Sequence, residues 1–163
     1  MPIVLGGNKP NLSYKEILEL IIDLIKDNWL TDEPPINDPD EFKNVHFNTD
    51  WYDNAHDMEV SVILNTDVVG PAVIGNVAFD HGAFIEIHTF TRALDEHYPT
   101  IMSNINKEIT RILYANVRGL KNNGISLVLP NNFRRIDEQD NTSTTWHSMT
   151  SVQLVFTKFV VPS

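Results

Sequence analysis

The stretch Ala83–Arg92, AFIEIHTFTR, has two interleaved faces. Ala83, Ile85, Ile87 and Thr89 lie on one, and Phe84, Glu86, His88 and Phe90 on the other. A period of two is that of a β-strand, whose successive side chains point to opposite sides. Upstream, Met58–Leu64 (MEVSVIL) repeats the pattern, with Met58, Val60, Val62 and Leu64 in phase. Between them, Asn65–Gly75 carries Asp, Gly and Pro and reads as a hairpin loop, with a short strand near Ala72–Ile74. Consecutive strands joined in this way pair antiparallel.

The period changes to that of a helix on both sides of this meander. Ser13 is a helix N-cap and Glu16 completes a capping box. From Ser13 to Trp29, Ile17, Leu18, Ile21, Leu24, Ile25 and Trp29 follow helical spacing, and Leu20 and Ile22 widen the stripe. So wide a stripe implies more than one packing neighbour, either deep in its own fold or in another subunit. A second helix is expected from Pro99 to Val117, with Ile101, Met102, Ile105, Ile109, Ile112 and Leu113 as a narrow stripe and Gly119 just beyond its end. Glu108 and Arg111, three apart, are expected to pair on its surface.

Residues 1–12 read as a flexible arm. Thr31–Asp40 (TDEPPINDPD) is a Pro-rich acidic linker on the surface, incompatible with a regular element. After the second helix, Ile125–Leu129 and Phe133–Asp137 are short strand candidates, and Glu138–Asn141 a polar tip. A long strand is expected over Thr144–Val161, where Trp146 and Phe159 fall on opposite phases and suggest a bulge. The order of helix, strands, helix and strands implies a single α+β domain over 1–163, with a mostly antiparallel sheet packed against two amphipathic helices. It disfavours a doubly wound nucleotide-binding fold.

Composition narrows the function. The net charge of −10, with 22 acidic and 12 basic residues, argues against sequence-specific nucleic-acid binding. Acidity of this degree serves solubility or matches a basic partner. The absence of cysteine excludes disulfides, thiolate metal sites and cysteine nucleophiles. No secretory leader and no run of about 20 apolar residues is present, so a soluble protein made in the cytoplasm is expected, without a membrane partner.

No catalytic motif stands out. Gly6-Gly7-Asn8-Lys9 has the wrong glycine spacing for a phosphate loop, and no Gly-x-Ser-x-Gly elbow occurs. A mononuclear metal site can be drawn from Glu86, His88 and His97, but the plainer reading of these is polar surface. The acidic segment around Asp50, Asp53 and Asp57 lacks the EF-hand pattern and reads as a solvated loop. Within it, Trp51–Tyr52 is either an exposed contact patch or an anchor folded back onto the sheet. No catalytic residue, cofactor or metal is assigned, and a role other than enzyme is expected.

The helix SYKEILELIIDLI, the strand AFIEIHTF, the helix IMSNINKEITRIL and the closing segment DEQDNTSTTWHSMTSVQLVFTKFVV together resemble tail-terminator and tail-completion proteins of tailed viruses. The likeness spans residues 13–161 and is one of element order, departing from that pattern in the Pro-rich stretch and in Asn65–Gly75. It implies a virion structural protein of the phage tail and neck, made in the host cytoplasm. Such a protein forms a homo-oligomeric six-fold ring that caps the tail tube and joins it to the neck or connector proteins. Trp51, Tyr52 and Trp146 are then candidate interface residues. Other readings are another tail, baseplate or injection-machine component, a cellular α+β binding module, or a small metal-dependent enzyme.

Overall fold

A computed structural model describes residues 13–53, 55–71, 78–92, 98–116, 125–128, 134–139 and 145–159. The chain is α+β. Helix α1 spans Tyr14–Asp27 and is followed by a single 3-10 turn, Glu41–Lys43. Strands β1 (His46–Asn48), β2 (Met58–Pro71) and β3 (Ala78–Arg92) come next. Helix α2 (Tyr98–Ala115) precedes β4 (Ile125–Val128), β5 (Arg134–Gln139) and β6 (Thr145–Phe159).

The six strands form one sheet in the order β1-β2-β3-β6-β4, with β5 also on β6. All pairings are antiparallel except β1–β2. Strands β4 and β5 run along the same edge of β6: Val128 pairs with Gln153 and Arg134 with Ser151. Only Val152 of β6 separates those two registers, whereas residues 129–133 lie between β4 and β5.

One face of the sheet carries both helices. Val60, Val62, Ile85, Ile87 and Val152 meet Ile17, Ile21, Ile25, Ile105, Ile109 and Ile112 in a buried core. The period-2 strand pattern and the 3.6-residue helix pattern are solved here by the same act of burial. The wide stripe of α1 is used within its own fold: Ile22 is buried, and Leu20 and Leu24 are partly buried against the core. The Ser13 hydroxyl accepts from the Glu16 amide at 3.2 Å, which caps a helix N–H that would otherwise lack a partner.

Several boundaries differ from expectation. Residues 65–71 are strand rather than loop, because β2 continues past Leu64 against β3. Asn65 is the extra residue there, since Leu64 pairs with Ile85 and Thr66 with Phe84. The bulge is therefore in β2; the β3–β6 register runs without a shift from Ala78↔Phe159 to Arg92↔Thr145. Glu138 and Gln139 are not a polar tip but pair with His147 and Trp146. Residues 1–12, the Ala72–Ile74 segment, Leu129, Phe133, Val117 and Gly119 lie outside the described residues.

Glu108 and Arg111 do pair, at 2.6 Å, but not as a surface ornament. Glu108 is buried and also accepts from the Leu30 amide at 2.7 Å, while Arg111 donates to the Asn28 carbonyl at 2.7 Å. The pair thus ties α2 to the end of α1, and the Arg111 hydrogen bond holds the Glu108 carboxyl below its usual range. The acidic linker is anchored too, with Trp29 Nε1 donating to the Pro34 carbonyl and Asn104 Nδ2 to that of Glu33. Among the described residues no helix is long and apolar enough to cross a membrane.

Candidate functional site

The sheet face turned away from the helices is polar and aromatic. It follows from the alternation that Glu59 and Ser61 of β2, Glu86, His88 and Phe90 of β3, and His147 of β6 share it. Cross-strand pairing brings Ser61 opposite His88, and Phe90 between Glu59 and His147. Parallel pairing of β1 adds His46 and Asn48 beside Glu59 and Ser61.

The acidic segment after β1 folds over this face. Tyr52 stacks on Phe90 with centroids 4.5 Å apart. Trp51 stands edge-on to His88, Phe90 and His147 at 4.7, 5.4 and 5.9 Å. Tyr52 anchors the segment on the sheet, and Trp51 remains 54% exposed above it. Trp146 pairs with Thr91, in phase with the helix-facing residues Ile87 and Thr89. It therefore lies on the other side of the sheet from Trp51 and Tyr52, and the three do not form one surface.

Beneath this roof runs a chain of hydrogen bonds. Asn65 Nδ2 donates to Glu86 Oε1 at 2.7 Å, and Glu86 Oε2 meets His88 Nε2 at 2.8 Å. His88 Nδ1 meets His147 Nε2 at 2.6 Å. Glu86 and His88 are thus together, as their spacing implied, but the carboxylate binds the ring nitrogen instead of sharing a ligand with it. His97 lies outside the described residues. Among the described residues no three His, Asp or Glu side chains are placed to hold a metal ion. His147 was not singled out by spacing, and no local signal marks it.

Glu59 is fully buried, at 0% exposure. Asn48 Nδ2 donates to its Oε1, while its Oε2 has no partner among the described atoms. Burial foremost, with the nearby Asp53 carboxyl, pushes the Glu59 carboxyl above its usual range. A raised folded-state value means that the charged form is disfavoured in the fold. Stability tied to Glu59 is full below the unfolded value and is lost as pH rises through the folded one. Glu59→Gln is therefore expected to stabilise the protein at pH 7.5 by about 1–2 kcal/mol, since it removes a buried charge and keeps the acceptor for Asn48. The gain should fade near pH 4.5, as read from urea unfolding at the two pH values.

A pocket of about 460 Å³ flanks the roof, lined by residues that include Phe42, His46, His56, Asp57 and Arg92. His46 and His56 stack there with centroids 3.6 Å apart, and Arg92 pairs with Asp57 at 3.4 Å. No protein-family model matches the chain, and no curated protein is significantly similar to it.

Proposed function

We propose that the chain is a virion structural protein of the tail-terminator or tail-completion kind, a ring that caps the tail tube and joins it to the neck. The observation that carries this reading is the edge of β2, which is open among the described residues. Strand β2 runs to Pro71, yet β1 pairs only with Glu59, Val60 and Ser61. Among the described residues, no strand lies outside β2 from Val62 onward. An edge that the described residues leave unpaired is a template for another chain. The opposite edge of the sheet, made by β4 and β5 in line, is of different composition. Two unlike edges on one sheet suit a head-to-tail contact, which generates a ring when its rotation closes.

The remaining features fit the same role. The net charge of −10 complements a basic tube or neck partner, and Trp51 offers an exposed aromatic contact. Synthesis in the host cytoplasm and residence in the virion tail follow from the role. The test is native mass by light scattering, with negative-stain images of the same sample. Closed rings, or a monomer that forms rings only on added tail tubes, is the expected result. A persistent monomer that ignores tubes and neck proteins overturns the reading, and assembly untouched by Trp51→Ala removes Trp51 from the contact.

A further inference from the structure

Four of the chain's six histidines form two ring-on-ring pairs beside the Trp51–Tyr52 roof. In one of them, His88 with His147, the rings are joined nitrogen to nitrogen. That bond holds a single proton, because an imidazole nitrogen either donates or accepts. His88 Nε2 is committed to Glu86, whose carboxylate accepts. While the His88–His147 bond lasts, the two rings together carry at most one positive charge. A second charge would put N–H groups on both sides of a 2.6 Å gap, and the contact would have to open.

We propose that the His88–His147 pair is a proton-operated latch for the segment carrying Trp51 and Tyr52, and that its second proton lifts this roof from the sheet and uncovers Phe90. Trp51 rests on both rings of the pair and on Phe90, so separation of the rings removes its seat. Phe90 is stacked at 4.4 Å on His147 and at 4.5 Å under Tyr52, which makes it the surface exposed on opening.

The charged groups around the latch set its direction. Glu86 Oε2 of β3 lies 2.8 Å from His88 Nε2. Glu138 of β5 is the register partner of His147. Asp50, Asp53 and His56 lie in the roof segment, and the Asp57–Arg92 pair joins that segment to the end of β3. Glu59 of β2 acts in the opposite sense, since acid discharges its buried carboxyl. Free carboxyls titrate near 4.3 and free imidazoles near 6.5. The closed form refuses a proton that the open form accepts. It is stable above the ordinary imidazole range and is lost below it, by about tenfold in the closed-to-open ratio per pH unit for one proton.

This inference does not depend on ring assembly. It is tested on the full chain labelled with 5-fluorotryptophan, with the Trp51 resonance assigned by Trp51→Phe. Between pH 6.5 and 5.5 the population with Trp51 released from the two rings should rise about fivefold, while the Trp29 resonance, on the helix side, stays in place. His147→Phe keeps a ring under Trp51 but carries no proton, and should abolish the dependence. A Trp51 signal that ignores pH, or one that still responds in His147→Phe, overturns the latch. A direct titration of the wild-type imidazoles serves if the variant does not fold. Two steps separated by more than about one unit are expected for a shared proton, and two coincident, independent steps overturn it.

Discussion

Ile105→Ala is expected to destabilise the protein by about 2–5 kcal/mol. Ile105 is completely buried on the face of α2 that meets the sheet, within the cluster formed by Ile85, Ile87 and Val152. Truncation removes three carbons from a site enclosed by two helices and a sheet. The loss is the transfer energy of those carbons plus that of the cavity, which a sheet and a helix fixed by their own hydrogen bonds cannot collapse to fill. Against a total stability of about 5–15 kcal/mol the change is large. It should appear in urea unfolding as a lower midpoint with an unchanged slope. A cost below about 1 kcal/mol would mean that α2 does not seal the core as described.

Its neighbour Asn106 is expected to matter nearly as much for a different reason. Asn106 is buried and bridges two strands: Thr89 Oγ1 donates to its Oδ1 at 3.0 Å, and its Nδ2 donates to Ser148 Oγ at 2.8 Å. These bonds fix the position of α2 over the β3–β6 pair, where Thr89 and Ser148 lie directly opposite each other. Asn106→Ala strands both hydroxyls in a dry interior, each at a cost of about 1–3 kcal/mol. The triple variant Asn106→Leu, Thr89→Val, Ser148→Ala should regain most of that loss, because an apolar patch of similar shape leaves no polar group unpaired. If the triple variant is as unstable as Asn106→Ala, lost packing and not stranded hydroxyls is the cause.

The two substitutions divide what α2 does. Ile105 supplies attraction without direction, and Asn106 supplies register. A helix held by an isoleucine stripe alone can slide along the sheet at small cost, whereas a bidentate amide between two defined hydroxyls cannot. That register matters for the far face as well, since β3 and β6 also carry His88, Phe90 and His147.

Much of this architecture was legible in residue order because its cause is local. The isoleucines of α1 and α2 recur at helical spacing, and MEVSVIL and AFIEIHTFTR alternate, so each segment announces which of its faces is buried. Ser13 with Glu16 announces where α1 begins. The ends of β2 and β5 were not legible, because Asn65, Asp67, Gly70, Glu138 and Gln139 are turn-forming or polar residues. They are strand only because β3 and β6 offer partners for their backbone groups.

Sequence by itself therefore determined the α+β class, both helices, and the phase of β2 and β3, since periodicity depends on neighbours three, four or two residues away. Only the tertiary structure decided the rest. Strand β1, three residues without a period, exists because the edge of β2 is there to receive it. The same holds for the roof of Trp51 and Tyr52, and for the His88–His147 contact between residues 59 apart in the chain. Alternation states which face a side chain occupies; which strand lies beside it is settled by pairing between distant segments, and no local pattern encodes that choice.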